Sequence, residues 1–137
     1  MEKKDLVYIC SPLSAPTWEE VQENMKKAAH YASLVSKAAG CRAIAPHSFL
    51  PKYLDDRIAE EREVALAFGL SVLRIAKGMV VCGDRISSGM KGEIEKAKEW
   101  GIPVYSLLES KAVVMLIRIE ERMCQDEEQI CKAIISE

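Results

Sequence analysis

The sequence is poor in the residues that build metal centres and covalent frameworks. It has two histidines, His30 and His47, and five cysteines, Cys10, Cys41, Cys82, Cys124 and Cys131, with no CxxC pair among them. Structural metal sites draw on cysteine and histidine clustered at short spacing, so no metal and no cofactor is expected. An odd, scattered set of thiols reads as reduced cysteines in a cytoplasmic protein. There is no apolar N-terminal stretch of the signal-peptide kind, and no run approaches the roughly 20 apolar residues that cross a bilayer. A membrane partner is therefore not expected. Charge of one sign is also lacking: 19 basic residues against 21 acidic ones leave a net charge of −2, and a nucleic-acid surface would need a basic stripe. Repeats and low-complexity tracts are absent. What remains is one soluble domain spanning residues 1–137, 49% hydrophobic. A chain of this size buries roughly 65–70% of its unfolded surface, enough for a core without staples.

Strand and helix patterns alternate along the chain. Leu6 to Cys10 reads as a first strand, and Ser11-Pro12-Leu13-Ser14-Ala15-Pro16 as a loop, because its prolines cannot continue a ladder. Thr17-Trp18-Glu19-Glu20 is a capping box. It opens a helix with apolar residues at Trp18, Val21, Met25, Ala28, Ala32, Val35 and Ala39, closed by Gly40. A short strand, Ala43 to Ala45, leads to a second loop, Pro46-His47-Ser48-Phe49. Helical periodicity returns from about Asp56 to Ala76 through Ile58, Ala65, Phe68, Val72 and Ile75, with a weak point expected at Gly69. Met79 to Cys82 is a third strand, Gly89 to Trp100 a third helix, and Val104 to Leu108 a fourth strand. Such alternation implies right-handed βαβ units and a parallel sheet covered on both faces. The expected order is 2-1-3-4, with ligands bound at the switch point between strands one and three. The core spans about residues 5–108. In the tail, residues 109–137, Ala112 to Ile119 is strongly apolar and is expected either to pack internally or to make a homo-oligomer. Asp126-Glu127-Glu128-Gln129 resembles the capped start of a last helix.

The switch point puts the loop Gly83-Asp84-Arg85-Ile86-Ser87-Ser88-Gly89-Met90-Lys91-Gly92-Glu93 beside Ser11 to Ser14, with Pro46-His47 flanking. A strand, a Gly/Ser loop and a helix start form an anion-binding place, because unpaired N–H groups and small residues admit a phosphate. Glu93 lies three residues after Met90 and four before Ala97, on the border of the apolar stripe. A carboxylate there would repel a phosphate, which points to chemistry on the ligand.

Tyr8-Ile9-Cys10-Ser11, the Ser87 to Glu93 loop, Ala97 and Gly101-Ile102-Pro103 together resemble the nucleoside 2-deoxyribosyltransferase-like superfamily. That group includes transferases that exchange bases on deoxynucleosides and hydrolases that cleave nucleoside 5′-monophosphates. The resemblance covers about Leu6 to Leu108 and implies a single flavodoxin-like or Rossmann-like three-layer α/β domain. It implies Glu93 as a nucleophile on the anomeric carbon, with Tyr8 orienting it. Ser11, Ser14, Ser87, Ser88 and Gly89 would hold sugar or 5′-phosphate, with His47 at the edge of the site. Ser87 stands where the deoxynucleoside transferases commonly have an acid, as it does in the monophosphate hydrolases. The chain departs from the pattern at Gly69, where relatives usually carry another acid, and at Lys77-Gly78, where many carry an aspartate. Cys10 and Pro12 also occupy positions that are often glycine.

Two classes of function follow. One is an enzyme that hydrolyses or transfers an N-glycosidic bond of a nucleoside 5′-monophosphate or deoxynucleoside. The other is a non-catalytic nucleotide-binding or sensing module of the same fold, which has lost the acid at Gly69. Plainer roles exist for the same residues. Ser87, Ser88 and Gly89 also suit a helix cap, His47 a backbone-bonded turn, Asp55-Asp56 a helix start, and Lys26-Lys27 and Glu60-Glu61 solvated faces.

Overall fold

A computed structural model describes residues 3–109 and 114–119 of the chain. Five strands form one sheet in the order β2-β1-β3-β4-β5. They are β1 (Leu6–Cys10), β2 (Arg42–Ile44), β3 (Gly78–Val81), β4 (Val104–Glu109) and β5 (Val114–Arg118). The first four run parallel in the anticipated order, while β5 returns antiparallel along β4, with Leu107 opposite Leu116. The apolar stretch expected in the tail thus supplies, in its Val114–Arg118 part, an edge strand, with Ile117 buried against the sheet. Residues 112 and 113, and the last helix anticipated from Asp126, lie outside the described residues.

The sheet separates two cores because successive strand side chains point to opposite faces. On one face Tyr8, Cys10, Met79, Val81 and Val104 pack under α2 (Ala59–Ile75) and α3 (Ser88–Glu99). On the other, Val7, Ile9, Val80 and Cys82 pack against Ala28 and Val35 of α1 (Trp18–Ala39). The result is the three-layer, flavodoxin-like α/β domain. The buried strands β1 and β3 read as continuous apolar runs because both of their faces are covered.

Local chemistry sets the helix ends. The Thr17 hydroxyl accepts from the Glu20 N–H, and Gly40 closes α1 in the left-handed region at φ +64°. The helix α2 departs from expectation in two ways. It begins at Ala59, because the Asp55 carboxylate accepts from the Arg57 N–H and the Asp55 carbonyl from Ile58, holding a turn in front of the helix. It also presents a different face: Gly69, Leu73 and Ala76 are buried, whereas Ile58, Phe68 and Ile75 are exposed. The helix runs unbroken through Gly69. Trp18, counted in the inner stripe of α1, is half exposed.

The loops at the carboxyl ends of β1 and β3 are fitted together by one glycine. Gly83 has φ +105°, and a Cβ there would stand 2.8 Å from Pro12 Cδ. Gly40 also has a positive φ, but a Cβ there would meet nothing within 4 Å. Gly83→Ala should therefore destabilise the fold by roughly 2–4 kcal/mol, combining strain with overlap. Gly40→Ala should cost only about 1 kcal/mol. Urea unfolding of both variants measures the difference, and equal losses would contradict the Pro12 contact.

Candidate functional site

Three loops far apart in sequence meet where β1 and β3 end. Pro12 lies against Gly83, the Arg85 guanidinium donates to the Ser14 carbonyl at 3.1 Å, and His47 Nδ1 is 2.9 Å from the Ser11 carbonyl. That carbonyl accepts only, so Nδ1 carries the proton and Nε2 is left as the acceptor of a neutral ring. Burial lowers the His47 pKa, against the smaller opposing effects of the Ser11 carbonyl and Asp56.

At this junction a cavity of about 360 Å³ opens between β1, α2, α3 and the turns that follow β2. Its polar groups are Tyr8, His47, Asp56, Glu93 and Lys96, set among apolar side chains such as Leu13, Pro46, Leu50 and Leu70. A mostly apolar cavity with a few convergent polar groups at a sheet switch point is the usual form of a small-molecule site. Four of its residues, Leu13, Pro51, Leu54 and Asp56, also line an outer groove of about 680 Å³, which carries Trp18 and Tyr53.

The centre of the inner cavity is a carboxylate–phenol pair. The Tyr8 hydroxyl donates to Glu93 Oε2, and the Cys10 thiol is 4.0 Å from Glu93 Oε1. Strand alternation places Tyr8 and Cys10 on one face of β1, and α3 brings Glu93 over them. The register of α3 is set at its cap, just before its first residue. The Ser87 hydroxyl accepts from the Met90 N–H, and Met90 and Ile94 are buried on either side of Glu93 along the helix. Protein atoms crowd Glu93, which is half-buried and lines the cavity. Burial raises its pKa to about 7 against the lowering effect of the Tyr8 hydrogen bond. Burial, and then the Glu93 charge, push the Tyr8 hydroxyl far up, so it stays a donor; the Cys10 thiol is raised for the same reasons.

Of the anticipated site residues, the cavity brings together Tyr8, His47, Gly89 and Glu93. Ser14 lines the outer groove instead. Ser87 and Ser88 begin α3 outside the lining, with the Ser87 hydroxyl used as the cap. Ser11 is buried, and its hydroxyl has no hydrogen-bond partner among the described residues. Glu61 accepts from the Asp55 N–H, away from Glu93. Lys96 and Asp56 were missed. Lys96 lies one helical turn beyond Glu93, so the i,i+3 spacing could have shown it. Asp56 enters only through the turn before α2. No group of three potential metal ligands occurs among the described residues, nor does a helix long and apolar enough to cross a membrane.

A family model described as a domain of unknown function, DUF7768, matches residues 5–107. No curated protein matches the chain. Among solved structures, the chain is similar to a 2-deoxyribosyltransferase from the psychrotolerant bacterium Bacillus psychrosaccharolyticus. The TM-score is 0.56 and the identity 19%, over 74% of this chain and 70% of that one. The likeness is one of fold.

The Glu93 carboxyl ties stability to pH. Its pKa is about 7 in the folded protein against 4.5 for the free group, so the folded state binds the extra proton between those values. Its contribution is full below about pH 4.5 and is lost as pH rises through 7. Glu93→Gln keeps an acceptor for Tyr8 and cannot ionise. Its stability relative to wild type should rise across that interval by on the order of 3 kcal/mol. Chemical unfolding of both proteins from pH 4.5 to 8 checks this, and the comparison cancels the His47 contribution. A pH-independent difference would show that Glu93 titrates as an ordinary carboxylate.

Proposed function

The chain belongs to the DUF7768 family, whose description names no activity, and from the site itself we propose that it cleaves an N-glycosidic bond of a nucleoside or nucleoside 5′-monophosphate. The observation that carries this reading is the buried Tyr8–Glu93 pair on the wall of a mostly apolar cavity. In its ionised form Glu93 attacks the anomeric carbon, the carbon–nitrogen bond breaks, and the base leaves with the bonding electrons. The product is a glycosyl ester on Glu93. Water then releases the sugar, or a second base takes it up in transfer. Tyr8 holds Oε2 and keeps part of the carboxyl ionised near neutrality, leaving Oε1 for attack.

For the phosphate, the cavity offers the backbone of Gly89 in the first turn of α3 and the side chain of Lys96, whose ammonium is 3.3 Å from Glu99 Oε2 in the free protein and would have to leave it for the ligand. Helix N-termini and lysine both favour an anion, whereas Asp56 and Glu93 oppose one. With Lys96 present, a 5′-monophosphate should bind at least about tenfold better than its nucleoside, a difference of roughly 1.4 kcal/mol. Lys96→Met should remove most of that preference without weakening the nucleoside. Calorimetry on the two ligands decides it, and equal affinities for wild type would remove the phosphate from the ligand.

A second reading, a nucleotide-binding module without turnover, is favoured by Gly69, which lines the cavity without a side chain to act as acid. Chromatography of the free base separates the two. We expect release from one of these ligand classes, with kcat/KM falling below a limb near pH 7 as Glu93 is protonated. Tyr8→Phe should move that limb to higher pH, since the hydroxyl holds the carboxyl pKa down. Glu93→Gln should reduce release at least about 10³-fold with binding retained. Undiminished release by Glu93→Gln would refute the assignment, and binding without release by wild type would establish the module.

A further inference from the structure

Gly69 sits in the interior of α2, where glycine costs about 1 kcal/mol against alanine. Backbone conformation does not require it. The positive φ values of the described glycines belong to Gly40, Gly83 and Gly101, and α2 is unbroken at residue 69. Space is the tighter constraint. A Cβ built on Gly69 would find one atom within 4 Å outside its own helix, the Tyr8 hydroxyl oxygen at 3.1 Å. For Gly92, which lines the same cavity, a Cβ would meet nothing within 4 Å.

Tyr8 has little freedom to give way. Its residue is 2% exposed, its strand is paired on both sides, and its hydroxyl is committed to Glu93. A contact of 3.1 Å is tighter than ordinary packing between carbon and oxygen, so one of the two groups must shift. The ring is held in the core beside Leu73 and Met79, and the backbone of α2 is anchored by Leu73 and Ala76 in the same core. The softest element is the phenol's alignment with the carboxylate.

We propose that Gly69 is a positioning residue for the Tyr8–Glu93 pair, its missing side chain allowing α2 to close over the phenol while the hydroxyl remains aimed at the carboxylate. Any side chain at position 69 displaces the hydroxyl from Oε2. The same gap explains why α2 turns Gly69, Leu73 and Ala76 inward and leaves Phe68 and Ile75 outside. The proposal bears on the reading of Glu93 as nucleophile, since the glycine then maintains the group that orients it. It does not depend on turnover, because the contact exists in the free protein.

The groups next to the Glu93 carboxyl are the Tyr8 hydroxyl and Cys10 thiol from β1, while His47, Asp56 and Lys96, the last with its ammonium 3.3 Å from Glu99 Oε2, line the same cavity. Of these, Tyr8 is the donor bonded to the carboxyl and favours its charged form. Displacing the phenol therefore raises the midpoint at which Glu93 titrates, an effect that simple crowding elsewhere in α2 does not produce.

A double-mutant cycle on the ligand-free protein tests this, with thermal unfolding and the carboxyl carbon resonance of Glu93 followed against pH. In the otherwise native chain, Gly69→Ala should lower Tm by roughly 3–6 °C and move the Glu93 midpoint upward. In the Tyr8→Phe background the oxygen that the Cβ would meet is gone. The same substitution should then raise Tm, because alanine favours the helix, and should leave the midpoint where Tyr8→Phe put it. A rise in Tm in both backgrounds, or an unmoved midpoint in Gly69→Ala alone, would overturn the proposal. If Tyr8→Phe does not fold, the midpoint in Gly69→Ala decides. Failure here leaves the glycosidase reading open to its own test, and absence of base release leaves this result standing.

Discussion

A carboxylate set against the buried face of a sheet is costly, and the hydrogen bond from Tyr8 to Glu93 makes it tolerable without making it comfortable. Burial outweighs the bond, which is why the Glu93 pKa stands near 7 and not in the ordinary carboxylate range. A group in that condition responds to small changes around it, since one pKa unit corresponds to about 1.4 kcal/mol. The surrounding structure supplies the constraints. The central strand β1 offers the phenol, the Ser87 cap fixes the register of α3, and Gly69 lets α2 lie close above both.

The position of the pair follows from topology. Strand order 2-1-3-4 separates the loops after β1 and β3 to opposite sides of the sheet, which opens a crevice at their carboxyl ends. The cavity fills that crevice, and its lining is divided between apolar walls and a small set of polar groups. Burial among these walls, opposed by the Tyr8 hydrogen bond, sets the state of the Glu93 carboxyl. Glu93 and Lys96 stand one helical turn apart on α3 and both line the cavity, with the Lys96 ammonium 3.3 Å from Glu99 Oε2.

Much of this was legible in the sequence, for reasons that differ between elements. The helix α1 carries its own start and stop signals, Thr17 and Gly40, and both act as their chemistry dictates. The strands β1 and β3 are apolar throughout because they lie between two layers, and their bounds came out within a residue. Glu93 could be picked out because α3 is short and its apolar residues, Met90, Ile94 and Ala97, leave little choice of register. The helix α2 is apolar on more than one side, so several stripes were consistent with its sequence. Asp56 read as part of a helix start and Lys96 drew no reading of its own; only the cavity between their elements distinguishes them from other charged residues.

By itself, then, the sequence determined the order of strands and helices, the caps, the layered class of fold and the inward register of Glu93, all of which depend on residues near one another along the chain. The tertiary structure decided which face of α2 is buried, which hydroxyl meets Glu93, and which of the anticipated serines stand away from the cavity. Those outcomes depend on contacts between residues such as Tyr8 and Gly69, or Tyr8 and Glu93, which are distant in sequence. Periodicity reports the amphipathic character of one element, but the space available to a side chain is set by the neighbour that packs against it. At Gly69 that neighbour is a single oxygen atom.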